Sequence, residues 1–190
     1  MIFYETKRLI LRPYQDKDFE SFSKLGQDAD VMEFFPKIFN QQDTLELITK
    51  IKDKFKANGF GFYTVVLKDS EQFVGSIGLN IPDFEAHFTP CVEIGWRVAK
   101  KYWGQSLAVE AAQKCLEIGF NEFNLNEIVS FTAKVNKNSE RVMQKLGMVH
   151  DVKDDFYHPK LEINHPLALH VLYRIPKSLW LSKMIDNSIG

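Results

Sequence analysis

The chain has 190 residues, 45% of them hydrophobic, and a formal net charge of −1. That length fits one domain with at most a tail. The apolar fraction excludes a disordered chain, and the near-neutral charge supplies no basic field for nucleic acid. Two cysteines, Cys91 and Cys115, are too few for a disulfide framework or a zinc cluster. No apolar run approaches the roughly 18 residues of a membrane span, and the first residues lack a signal segment. The expectation is a cytoplasmic protein without metal, membrane or nucleic-acid partner.

Arg8 to Arg12 reads as a short first strand that stops at Pro13. Asp16 is a helix cap for a segment running to about Gly26, with Phe19, Phe22 and Leu25 on one face. A second helix is expected from Asp43 or Thr44 to Asn58, stopped by Gly59. Phe60 to Leu67 and Phe73 to Leu79 then form a hairpin about a polar turn, and Val92 to Val98 is a third strand. A long helix is expected from Gly104 or Gln105 to Phe120, with Ala108, Ala112, Cys115, Leu116 and Gly119 on one stripe. Ile128 to Ala133 is a strand and Ser139 to Leu146 a short helix closed by Gly147. Strands from Met148 to Val152 and Leu169 to Ile175 follow. The order predicts an α+β (mixed α/β) fold with a parallel strand–helix–strand crossover inside an otherwise antiparallel sheet. Residues 1–175 form the expected domain. Residues 176–190 form a tail or short helix carrying Leu179, Trp180, Leu181 and Met184, which docks on the body or on a second subunit.

The stretch Glu93-Ile94-Gly95-Trp96-Arg97-Val98-Ala99-Lys100-Lys101-Tyr102-Trp103-Gly104-Gln105-Ser106-Leu107-Ala108 is a strand, a glycine-containing loop and a helix start. Such a junction aims unpaired N–H groups and the positive helix end at one point, a site for phosphate or pyrophosphate. Gly104 removes a side chain from the ligand's path, and Ser106 and Ala108 are small. Strand–Gly–helix junctions are common and many bind nothing. The second informative stretch is Asn136-Lys137-Asn138-Ser139-Glu140-Arg141-Val142-Met143-Gln144-Lys145-Leu146-Gly147-Met148, in which Asn136 or Asn138 caps a helix that Gly147 ends.

Together these two stretches resemble the acyl-CoA-binding motifs of GNAT acetyltransferases. Tyr102-Trp103-Gly104, the Asn136-x-x-Ser139 helix, Leu146-Gly147-Met148 and the opening Thr6-Lys7-Arg8-Leu9-Ile10-Leu11-Arg12-Pro13 are similar to the ribosomal-protein N-terminal acetyltransferase (Rim-type) branch. The resemblance spans roughly residues 5–175. It implies a twisted, mostly antiparallel sheet of about 6–7 strands flanked by helices, with acetyl-CoA as cosubstrate and an amine as acceptor. It implies that Trp96, Arg97 and Val98 pair with the pantetheine amides. By the same resemblance Trp103, Gly104, Gln105, Ser106, Leu107 and Ala108 hold the pyrophosphate through backbone N–H groups. Asn136 bonds the pantetheine arm, and Ser139 sits near the thioester sulfur. Arg141 and Lys145 either meet the adenosine phosphates or are solvated charges. Two departures stand out. The superfamily loop (Gln/Arg)-x-x-Gly-x-(Gly/Ala) is here Lys101-x-x-Gly104-x-Ser106. The tyrosine that many members carry as general acid is here Met143, so Ser139 is the candidate acid.

Acetyl transfer needs a neutral amine, so a base must remove a proton. Glu93 is the candidate, on the strand face it shares with Gly95 and Arg97; the competing reading is an ion pair with Arg97. His158, His165 and His170 either pack in loops or line the acceptor site, with Glu162 and Asp154-Asp155 as further acidic groups. Cys91 and Cys115 read as core residues rather than nucleophiles. Trp103 reads as loop packing, and Phe34, Phe35 and Pro36 as an acceptor wall or a loop plug. Two functions follow. One is direct acetyl transfer to a primary amine, either a protein N-terminus or a small molecule such as a polyamine, antibiotic or amino acid. The other is an acyl-CoA-binding sensor or scaffold. A nucleotide-binding protein is disfavoured, because Gly-x-x-x-x-Gly-Lys-(Ser/Thr) is absent. The protein is expected as a monomer or homodimer.

Overall fold

The computed structural model describes residues 3–189, without the side chains of 184 and 186–189. The chain forms two compact units. The first holds the residues up to Asn80 together with Gly95–Cys115, and the second holds Ile81–Ile94 and the chain from Leu116 onward. One strand and one long helix pass from one unit into the other.

In the first unit, β1 (Tyr4–Glu5), β2 (Leu9–Arg12), β3 (Phe62–Leu67) and β4 (Phe73–Asn80) pair in antiparallel order. The register slips between Val65 and Val66. β5 (Glu93–Val98) follows β4 in the sheet. Gly75 is fixed there by close approach, because a Cβ would collide with the Arg97 carbonyl oxygen and the Val98 Cα. Leu9, Leu11, Val65, Ile77 and Leu79 alternate into the core and are almost fully buried. Burial of each such side chain stabilises by about 1.5–3 kcal/mol. Helices α1 (Phe19–Gln27) and α2 (Gln41–Asn58) pack through Phe22, Ile48 and Ile51 against Tyr14, Phe55, Phe62 and Phe73.

The second unit contains the start of β5, β6 (Glu127–Ala133), β7 (Val149–His150), β8 (Phe156–Tyr157) and β9 (Leu169–Pro176). β6 and β9 pair antiparallel from Glu127↔Pro176 to Ala133↔His170, and β7 and β8 both pair with β9. β5 and β6 are parallel, with Glu93 opposite Val129. The long helix α3 (Leu107–Asn121) starts in the first unit and ends here, followed by α4 (Lys137–Lys145) and α5 (Lys177–Ile189). The tail is thus helical, and its Trp180 ring lies 5.1 Å from that of Phe120. Met184, assigned to the apolar side of that tail, has its side chain outside the described residues. Among the described residues, no helix is long and apolar enough to cross a membrane.

The α+β class with one parallel crossover is as expected, and several boundaries move. Among the described residues, three of the nine strands are two residues long. β1 and β8 are too short for any periodicity, and β7 ends early because Asp151 caps a 3-10 turn over Val152–Asp154. α2 begins before Asp43. Asn40 Oδ1 accepts from the Asp43 N–H at 2.9 Å, and the Asp43 carboxylate accepts from the Asn40 N–H at 3.0 Å. This reciprocal capping box makes Asp43 the third helical residue rather than the cap. α1 begins at Phe19, after a 3-10 turn at Asp16–Asp18. α3 begins at Leu107, not at Gly104 or Gln105, because Gly104 and Ser106 have φ of +75° and +59°. Neither value is compatible with a right-handed helix.

Candidate active site

The loop between β5 and α3 is built by its own side chains. The Trp103 indole donates to the Val98 carbonyl at 2.8 Å, tying the loop to the strand end. The Tyr102 hydroxyl donates to Gln72 Oε1 at 3.0 Å, and Lys101 Nζ donates to the same oxygen at 3.2 Å. Lys101, in the weakly matching motif position, therefore serves to brace the loop on the β3–β4 turn. Trp103 is loop packing, as expected. Gly104 requires glycine chiefly for its left-handed backbone, since a Cβ there would meet nothing within 4 Å. Left-handed residues at 104 and 106 stand immediately before the N-terminus of α3, where unpaired N–H groups and the positive helix end suit anions. The Ser106 carbonyl receives the Glu110 N–H at 3.1 Å, the first hydrogen bond of α3.

Arg97 places its guanidinium carbon 4.2 Å from the Phe35 ring centroid and 5.0 Å from that of Phe39. Desolvation pulls its pKa down to about 10, so it stays charged at neutral pH. Phe35, read as acceptor wall or loop plug, thus packs on a cation of the candidate cofactor strand.

In the second unit the parallel pairing at Glu93 ends at once. The Ile94 carbonyl accepts instead from the buried Ser130 hydroxyl at 2.9 Å. Glu93 is half-buried. Asn136 caps α4, its Oδ1 accepting from the Ser139 N–H at 3.2 Å. Its amide donates to Ser139 Oγ and to Thr132 Oγ1, both at 3.1 Å. All of its side-chain hydrogen-bonding groups therefore have protein partners, and Thr132, four residues before it, is a partner that the sequence pattern did not mark. Because Ser139 Oγ accepts from Asn136, its own hydrogen points elsewhere. Met143, in the family's tyrosine position, is 1% exposed.

His158 and His170 come together in an aromatic group with Phe84, Phe131 and Phe156, their ring centroids 5.0 Å apart. His170 Nδ1 faces the Ala168 carbonyl at 3.1 Å, so that nitrogen carries the hydrogen. Desolvation lowers its pKa to about 4, far below that of an ammonium, which makes it a poor base for one. Burial also lowers the pKa of His158. His165 stands apart and accepts from the Leu167 N–H at 3.1 Å as a turn residue. Of the acidic groups offered for a cationic acceptor, Glu162 is exposed, and Asp154 and Asp155 are already committed. Asp154 accepts from Arg174 at 2.6 Å, while Asp155 meets His150 at 2.6 Å and Lys134 at 3.1 Å. Cys91 is not nucleophilic, because desolvation and then the nearby Glu93 charge push its thiol up to about 11. Cys115 is fully buried core.

Residues 8–149 match the family model described as "Acetyltransferase (GNAT) domain". The chain is 33% identical over 144 residues to an uncharacterized N-acetyltransferase, YnaD, of Bacillus subtilis, covering 75% of this chain and 80% of the relative. It shares its fold with a spermidine N-acetyltransferase of Vibrio cholerae solved with CoA and spermine, at TM-score 0.73 and 18% identity over 93% and 99% of the two chains. A ribosomal L7/L12 alpha-N-protein acetyltransferase solved with coenzyme A is alike at TM-score 0.75 and 11% identity, over 94% and 99%. This chain belongs to the GNAT acetyltransferase family. It is an N-acetyltransferase that uses acetyl-CoA. The Rim-type resemblance narrows to that family, because likenesses this distant carry the fold alone and reach acetyltransferases named for a polyamine and for a ribosomal protein alike.

Proposed function

We propose that the loop 103–108 holds the pyrophosphate of acetyl-CoA and that the backbone of Trp96, Arg97 and Val98 guides the pantetheine toward an amine acceptor. The observation that carries this reading is the pair of left-handed residues, Gly104 and Ser106, directly before α3. An anion bound there would use the unpaired N–H groups at the start of α3.

Free α-amino groups have a pKa of about 8 and lysine amines about 10.4, so the acceptor arrives protonated. Glu93 takes that proton, directly or through a water. The nitrogen lone pair then attacks the thioester carbonyl, and backbone N–H groups of the 96–98 segment stabilise the oxyanion. The C–S bond breaks, the second proton of the former ammonium leaves the nitrogen and ends on the coenzyme A sulfur, and the Ser139 hydroxyl hydrogen-bonds to that sulfur as it departs. A thiolate of pKa about 8.5 needs no stronger acid. Asn136 keeps Ser139 in place and meets the pantetheine arm by exchanging one of its present partners for it.

The acceptor of the Rim-type branch is a protein N-terminus, and a primary amine of a small molecule uses the same chemistry. The test is free-thiol release from acetyl-CoA with a panel of peptides, polyamines, aminoglycosides and amino acids. Turnover is expected with one class and lost in Glu93→Gln. Binding of CoA without turnover of any amine would move the assignment to an acyl-CoA sensor.

A further inference from the structure

Five arginines occur in the chain. Arg8, Arg12 and Arg174 each hold a carboxylate, those of Glu110, Asp18, and Asp154 with Glu127, respectively. Arg141 is hydrogen-bonded to Asn138 at the surface. Arg97 differs. It is half-buried, and among the described residues no carboxylate pairs with it; its recorded partners are the Phe35 and Phe39 rings.

The segment that supplies those rings is not short of acids. Asp28 Oδ1 accepts from the backbone N–H of Asp30 at 3.0 Å, and Asp30 pairs with Lys100 at 2.6 Å. Glu33 is exposed. The acids are turned to other tasks, and the guanidinium is left to two aromatic faces. Ring faces recover only part of the hydration that a guanidinium loses. They leave its N–H fork without a carboxylate, and such a fork receives one in two parallel hydrogen bonds. The rings come from the α1–α2 connection and not from the loop 103–108. Arg97 itself stands on the strand to which the thioester arm is assigned.

We propose that Arg97 is a specificity-determining residue that grips a carboxylate carried by the acceptor amine, with Phe35 and Phe39 as its platform. The inference rests on the acetyl-transfer reading above. The carboxylate has two sources, the main-chain group of a free amino acid or an acidic side chain beside the N-terminus of a peptide. Cationic polyamines are disfavoured.

The test uses product analogues, so that it does not depend on finding the acceptor. Thermal unfolding of the full chain saturated with CoA is measured with N-acetylglycine, N-acetyl-aspartyl-alaninamide, N-acetylglycinamide and N-acetylspermidine. A carboxylate probe is expected to raise the midpoint by about 2 °C or more, and the neutral and cationic probes by less. N-acetylglycine acting alone identifies an amino-acid acceptor, and the aspartyl probe acting alone identifies an acidic peptide. Arg97→Gln is expected to abolish the difference between carboxylate and carboxamide. Arg97→Lys, which keeps the charge but not the fork, is expected to keep part of it and covers the case in which the glutamine variant does not fold. Equal shifts for carboxylate and carboxamide, a shift retained in Arg97→Gln, or no shift with any probe would overturn the proposal. So would loss of the CoA-induced shift in Arg97→Gln, which would assign the guanidinium to the cofactor. If CoA itself gives no shift with the wild type, the acetyl-CoA site fails, and the same probes without CoA still read Arg97.

Discussion

The Asp18 carboxylate accepts four hydrogen bonds at 6% exposure. Two come from the Arg12 fork at 2.7 and 2.8 Å, one from the Gln15 N–H at 2.8 Å and one from the Thr64 hydroxyl at 3.3 Å. Burial alone would raise its pKa, but the bonds from Arg12 and Gln15 outweigh burial and hold it below the usual carboxylate range. A folded-state pKa below the unfolded one stabilises above the unfolded value, and that contribution is lost as pH falls through the folded value. Asp18→Asn is therefore expected to cost about 3 kcal/mol in urea unfolding at pH 7. The gap to wild type should close as the titration moves into acid. Asp18 went unmarked in the sequence, because Thr64 lies in another strand and the Arg12 pairing depends on the turn between them. Arg97 was marked for its backbone and as the ion-pair partner in the competing reading of Glu93. Its contacts with Phe35 and Phe39 are set by where the α1–α2 connection falls, which no spacing rule encodes. Asn136 and Ser139 were legible because a cap and its partner lie three residues apart on one helix turn.

Elements with a long apolar period were readable, and those defined by one or two hydrogen bonds were not. α3 was found from its stripe, yet its start was misplaced, because a left-handed serine is a rare choice that composition does not announce. The opening Thr6-Lys7-Arg8 was recognised as a motif without a physical role. The structure supplies one in the first unit. Glu110 of α3 accepts from the Thr6 hydroxyl at 2.6 Å, from the Arg8 N–H at 2.8 Å and from Arg8 Nε at 2.7 Å. One carboxylate thus satisfies the β1–β2 turn and ties it to the helix that begins at the phosphate loop. Burial raises the Glu110 pKa, but the bonds from Thr6 and Arg8 outweigh it and lower the net value. Glu110→Ala is expected to lower stability by about 1–2 kcal/mol. Hydrogen exchange at the Arg8 and Leu9 amides is expected to speed up beyond the global change. An unchanged Arg8 amide would show that water replaces the clamp without loss.

For the whole molecule, the family places acetyl-CoA in the account, and the chain's own geometry nominates the loop before α3 as the place where its charge is met. That loop is braced by Trp103 on Val98 and by Tyr102 and Lys101 on Gln72. The loop is held by its own side chains, and a ligand bound to it would meet a lower ordering cost. The most direct measurement is a calorimetric titration of acetyl-CoA into the wild type, Gly104→Ala and Ser106→Gly. Affinity is expected to fall roughly tenfold or more in Gly104→Ala, because a Cβ disfavours the left-handed backbone that aims the N–H groups. Ser106→Gly is expected to bind at least as tightly as wild type. A folded Gly104→Ala that binds acetyl-CoA with wild-type affinity would contradict the loop's assignment as the pyrophosphate site.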